Sequence, residues 1–345
     1  MEDRPLRRPL TPARVVAVSL GMGCLLVLVG CVALLVGTAH ISLDQVRALF
    51  HAGGDSQVET ARLILLDIRL PRIILAALVG FALALGGVVF QALLRNPLAD
   101  PFILGVSSGS AFGAIIGILL GLGAGFGVPA MSFAGALSTL VLLLSLGIKR
   151  IRMESSTILL TGVIINAFFT AMIMFFVSVS SNAKLHSMLF WLYGDLSQSS
   201  YSHVSLIAPV VLVSSLLVYS FANRLNLLTA GEGSALRMGV DVAKTKLVLL
   251  VVVSLMIGTV VAFSGLIGFV GLIVPHLARM AFGSDHRLLI PATALGGASF
   301  LVVADTLART LIAPSELPVG VISAFVGAPF FLYLLLARGS RWSRS

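Results

Sequence analysis

The sequence predicts an all-α polytopic membrane protein with about ten transmembrane helices and both termini cytoplasmic, and three observations carry that expectation. The first is composition. Of 345 residues, 58% are hydrophobic and only 11% are charged, with a mean hydropathy of +1.07. A soluble domain carries about 25% charged residues, so this apolar excess needs lipid as its solvent. The second is a series of ten apolar runs, near 15–36, 73–94, 102–122, 129–148, 158–180, 204–222, 247–264, 266–282, 289–310 and 318–337. Each approaches the ~20 residues that cross a bilayer as a helix. The third is the placement of basic residues: with the N-terminus inside, 17 of the 23 Lys and Arg fall in cytoplasmic segments and six outside. That is the asymmetry of the positive-inside rule. Gly265, Gly268 and Gly271 blur the turn inside 247–282, but reading it as one span would put the basic C-terminal tail outside. Charge decides for ten.

The elements follow in order. Residues 1–14 form a cytoplasmic tail with Arg4, Arg7, Arg8 and Arg14, and the run after it is too long for a signal-peptide core. Leu28-Val29-Gly30-Cys31 resembles a lipoprotein cleavage box, yet the run can span the bilayer whole. Cys24 and Cys31 offer neither a disulfide framework nor a metal spacing and are expected as small core hydrophobes. Ser42-x-x-Gln45 reads as a capping box, with Val46 and Leu49 at helical spacing, which predicts a short outer surface helix. Met188–Tyr193, flanked by Lys184 and Asp195, suits an interfacial or re-entrant helix. The expected organisation is one transmembrane domain over 15–337, an inner segment at 223–246 and a short tail at 338–345, with no soluble domain appended.

Net charge +9 does not point to nucleic acid, because the basic residues sit in short clusters between apolar runs rather than on one stripe. Gly239-Val-Asp-Val-Ala-Lys244-Thr245 lacks the second glycine of a phosphate loop, with Ala243 in its place, so ATP hydrolysis is expected on another chain. The six histidines, at 40, 51, 186, 203, 276 and 286, show no metal-ligand spacing. No catalytic constellation can be assembled, and neither a metal nor a cofactor is expected on this chain.

The turn Gln91-Ala-Leu-Leu-Arg-Asn-Pro-Leu-Ala-Asp-Pro-Phe-Ile-Leu-Gly105 breaks one apolar run and starts the next. A charged, proline-broken turn cannot face lipid, because its freed backbone groups would lack partners. Together with Gly268-Phe-Val-Gly-Leu-Ile-Val-Pro-His-Leu-Ala-Arg279, Leu317-Pro-Val-Gly-Val321 and Gly327-Ala-Pro329, it resembles the FecCD/BtuC-like permeases. These are the membrane subunits of bacterial ABC importers for iron-siderophores, haem or vitamin B12. The likeness runs from about residue 40 to 337. It implies a permease in the bacterial cytoplasmic membrane, working with a second copy of itself, two ABC ATPase subunits that hold ATP and Mg, and an extracytoplasmic substrate-binding protein.

Within 223–246, Glu232-x-x-Ala235-x-x-x-Gly239 describes a short helix, with an acid at its positive end and a glycine suited to a left-handed cap. The spacing is similar to the coupling motif that docks on an importer's ATPase, which would give Glu232, Ala235, Arg237 and Gly239 that role. A plain connector between spans is the other reading. Arg69-Leu-Pro-Arg72 and Arg309 fall on the outer side, where the charge bias otherwise removes cations. They read as snorkelling anchors, or, as the resemblance implies, as docking residues for the binding protein. Span five carries Gly162, Asn166 and Thr170 as a small, polar stripe; span ten carries Gly320, Ser323 and Gly327, where helix packing is an equal reading. In the family, these two spans of two subunits enclose the pathway, which supports a lining role for the first stripe. The resemblance also places a cytoplasmic gate at Asn96, Leu98, Ser155 and Ser156; as simpler readings, Asn96 stabilises a turn before Pro97 and the serines cap span five. Asp305, inside span nine, needs a partner that the sequence does not name. The rival reading is an ion-coupled secondary transporter using such a group. Ferric siderophore, cobalamin and haem all remain as cargo, with haem ranked lower because span five has no arginine to pair its propionates.

Overall fold

A computed structural model of the protein describes residues 10–39, 56–102, 104–150 and 155–342. The expected surface helix at 42–49, with His40, Arg47 and His51, lies outside the described residues, as do Arg4, Arg7, Arg8, Arg152 and Arg344. Among the described residues the chain is helical, without strands.

The elements are α1 (Pro12–Leu35), α2 (Ser56–Arg62), α3 (Leu70–Leu93), α4 (Val106–Leu119), α5 (Gly127–Arg150), α6 (Ser155–Ser178) and α7 (Asn182–Tyr193), then α8 (Tyr201–Ser220), α9 (Ala222–Thr229), α10 (Glu232–Arg237), α11 (Val242–Ser264), α12 (Val270–Phe282), α13 (His286–Thr310) and α14 (Val319–Trp342). Ten of them, α1, α3, α4, α5, α6, α8, α11, α12, α13 and α14, coincide with the ten apolar runs. Among the described residues seven helices are long and apolar enough to cross a membrane, and α4, α12 and the apolar part of α14 are shorter. The short helices adjoin irregular backbone: Pro97 and Pro101 precede α4, and a stretch with Gly265 at φ 66° and Phe269 at φ 69° precedes α12. Such segments at membrane depth are stable only when protein covers them. The eighth span therefore starts at Val270 rather than 266.

Span two departs further from expectation. A π-helical turn, Leu63–Arg69, joins α2 to α3, and Leu70 N–H donates to Leu65 O, five residues back. This register absorbs Pro71, which has no N–H to give. Arg69 and Arg72 thus lie within a continuous helical rod, not in a segment before it.

The interior is built around α3, which packs on α13, α12, α11 and α8; α11 also packs on α5, and α4 pairs with α5. Helix α1 lies outside, mainly against α13, and Ala33 is its only buried residue. Cys24 and Cys31 are exposed, which corrects their assignment to the core: lipid and protein interior are equally apolar, so hydropathy does not separate them. The helix expected at Met188–Tyr193 is present as α7 and begins earlier, at Asn182. Lys184 Nζ donates to Leu119 O at 2.7 Å, satisfying a carbonyl at the end of α4, and Leu266 N–H reaches Trp191 O.

Candidate coupling face, gate and outer arginine cluster

At the end that the charge bias places in the cytoplasm, the chain leaves α8 and forms two short helices where the sequence reading had one. Helix α9 buries Ala222, Leu225 and Leu228, and its Asn226 holds the loop before α13. Asn226 Nδ2 donates to Asp285 Oδ1 at 2.9 Å, and its Oδ1 accepts from His286 N–H at 2.8 Å. Asp285 in turn caps α13 and pairs with Arg287 at 2.6 Å. Bonds from Arg287 first, then from Asn226, hold the Asp285 carboxyl well below the usual carboxylate range.

Helix α10 spans Glu232–Arg237, and Gly239 follows at φ 80°, the left-handed conformation its position called for. Ala235 is fully buried, so its close approach is to this chain and not to a partner. What α10 presents outward is Leu236, 60% exposed, and Met238, 69% exposed, beside Arg237 and Gly239. Sequence reasoning missed both apolar residues. Glu232 turns inward and pairs with Lys246 Nζ at 2.7 Å.

The gate candidates divide. Ser155 Oγ donates to Leu93 O at 3.0 Å, which brings the start of α6 against the end of α3, directly before the 95–101 turn. In that turn Asn96 Oδ1 accepts from Leu98 N–H at 2.9 Å, the simple turn-stabilising arrangement. Leu98 and Ser156 are exposed. On α6, Gly162 is buried where the helix packs against the start of α4, while Asn166 and Thr170 are half-buried at the edge of that contact. The opposite face of α6, with Leu160, Ile164, Phe168 and Phe175, is exposed. In α14, a side chain at Gly320 would collide with Tyr193 O and Leu266 O, and one at Gly327 with Phe269. That stripe packs within the chain.

At the outer end Arg69, Arg72 and Arg309 are only 4%, 7% and 5% exposed, and each is engaged within the chain. Arg69 donates to Leu34 O at 2.8 Å, Leu35 O at 3.2 Å and Ala39 O at 2.5 Å, satisfying carbonyls at the end of α1. Arg72 grips Asp305, with Nη2 2.9 Å from Oδ1, and its Nη1 donates to Glu316 at 2.8 Å. Arg309 Nε lies 3.2 Å from Asp305 Oδ2, and its Nη2 reaches Ala33 O at 3.3 Å. The partners that the sequence left unnamed for Asp305 are therefore two of the same arginines. A carboxylate between two guanidinium groups compensates charges that could not otherwise be buried. The cluster ties together the outer ends of α1, α3 and α13.

Helices of membrane length with their breaks covered by protein define a multi-pass membrane protein. Comparison with known proteins places it further: the profile of the FecCD transport family matches residues 25–337, and the chain belongs to that family. It is 46% identical over 283 residues to the cobalamin import system permease protein BtuC of Halobacterium salinarum, covering 82% of this chain and 76% of the relative. It is 42% identical over 284 residues to the hemin transport system permease protein HmuU of Yersinia pestis, covering 79% and 83%. A solved structure described as an inward-facing conformation of a metal-chelate type ABC transporter superposes with a TM-score of 0.83 at 33% identity, covering 93% of this chain and 99% of that one. The protein is an ABC transporter permease, a transport subunit and not an enzyme.

Proposed function

We propose that this chain is the permease of a binding-protein-dependent importer in the bacterial cytoplasmic membrane, carrying a bulky metal chelate. Two copies enclose the pathway along α6 and α14, and two separate ATPase subunits, which hold ATP and Mg, dock on α10. A substrate-binding protein delivers the cargo from outside. The chain itself supplies two access states whose populations nucleotide and binding protein shift.

One observation carries the reading: a short helix at the cytoplasmic end offers Leu236 and Met238 to water, capped by Gly239. Exposed apolar side chains outside the lipid zone mark a protein contact. The absence of a phosphate loop in the sequence gives that contact its purpose. The exposed face of α6, with half-buried Asn166 and Thr170 beside it, supports a second copy lying against this helix. Relatives named for cobalamin and for hemin are about equally similar to this chain, which supports the class of cargo and not one compound.

The test is docking. The double variant Leu236→Asp, Met238→Asp should fail to copurify with the ATPase and lose ATP-dependent uptake, while still inserting as a ten-helix protein. Retained copurification would remove α10 as the contact.

A further inference from the structure

The coupling helix and the gate share one buried cluster, centred on a residue that the sequence offered only as a cytoplasmic charge. Lys246, in the second turn of α11, is 2% exposed. Its Nζ lies 2.7 Å from Glu232 Oε1 at the start of α10 and 3.1 Å from Ser155 Oγ at the start of α6. Ser155 Oγ stands 3.0 Å from Leu93 O, at the end of α3, and 3.3 Å from Glu232 Oε1. Three helices, α11, α10 and α6, thus meet at the ammonium group, and Ser155 links them to the end of α3.

We infer that Lys246 is the positioning residue that passes movement of α10 to the gate, by holding Glu232 and Ser155 in one latch. Two physical facts support this. A buried ammonium separated from its carboxylate is costly, so a shift of α10 that carries Glu232 must carry α11 with it or break the pair. A serine hydroxyl has one hydrogen, so Ser155 donates either to Leu93 O or to Glu232, but not to both at once. Moving Glu232 therefore changes what ties α6 to α3, next to Asn96 and Leu98. The inference rests on the proposed docking of an ATPase on α10.

The experiment uses the permease copurified with its ATPase subunits and a gate reporter, Leu98→Cys, in a Cys24→Ala, Cys31→Ala background. The readout is the rate of maleimide labelling with and without vanadate-trapped MgATP. With the latch intact, trapping should change that rate about tenfold, within the usual range of coupling between sites. Lys246→Met should reduce the change to less than about twofold while ATP hydrolysis persists, and Lys246→Arg should restore most of it. A merely structural lysine would alter assembly without uncoupling hydrolysis from the gate. A tenfold response surviving in Lys246→Met would overturn the latch alone. If Lys246→Met fails to assemble, Ser155→Ala serves instead: a response cut to about threefold or less supports the latch, and an unchanged one overturns it. A reporter protein that neither binds ATPase subunits nor responds to nucleotide would overturn the proposed function and the latch with it.

Discussion

Removing Asp305 should destabilise the protein more than any other single change at its outer end. Its side chain is 1% exposed, and those of Arg72 and Arg309 are 8% and 6% exposed. Asp305→Ala would leave two buried guanidinium groups facing one another. Arg72 keeps Glu316, but Arg309 keeps, among the described residues, only Ala33 O and Thr306 Oγ1. Breaking a buried pair by deleting one partner costs about 3–5 kcal/mol. At about 1.4 kcal/mol per decade, the lower bound is a change of roughly a hundredfold in the unfolding equilibrium. Glu316 is 39% exposed, so Glu316→Gln should cost less than about 1 kcal/mol. Equilibrium unfolding in mixed micelles of rising dodecyl sulfate fraction, followed by circular dichroism, measures both. Adding Arg309→Met to Asp305→Ala should recover part of the loss, because it removes the orphaned charge. Equal losses for Asp305→Ala and Glu316→Gln would refute the assignment of these arginines to a buried clasp.

Other expectations follow from the same structure. Asp285→Ala removes the cap of α13 and should cost about 1 kcal/mol at neutral pH by the same unfolding assay. Because the folded-state pKa of Asp285 is depressed, its contribution is present above the ordinary carboxylate range, about pH 4, and is lost as pH falls below it. The variant should accordingly show a shallower acid limb, and an unchanged limb would contradict the Arg287 and Asn226 contacts. Gly320→Val should cost about 1–3 kcal/mol by overpacking α14 against the backbone at Tyr193 and Leu266. A neutral result would return that stripe to the pathway. Charge reversal at Arg69 and Arg72 together should lower stability in the unfolding assay, rather than merely weaken binding-protein association in a salt-sensitive way.

The ten apolar helices were legible because lipid demands long apolar runs. The short helix before Gly239 was legible for a local reason: a left-handed cap favours a residue without a side chain. Pairing was not. Arg72 and Asp305 are 233 residues apart, and spacing along one chain carries no sign of such a contact. The arginines were therefore read as snorkelling anchors or, by resemblance, as docking residues. The orientation of Ala235 was also hidden, since a six-residue helix has too few positions to define a face. Span two was expected only from residue 73, because a π-helical turn cannot be read from composition. Lys246 looked like one more cytoplasmic cation until Glu232 and Ser155 were seen on either side of it.

The measurement that tests the central claim most directly is reconstitution of the purified chain into liposomes, alone and with its ATPase subunits, binding protein and ATP. The account predicts no accumulation of cobalamin, haem or a ferric siderophore by the chain alone under any proton or sodium gradient, and accumulation of one of them by the full assembly only while ATP is present. Uphill transport by the chain alone would contradict it.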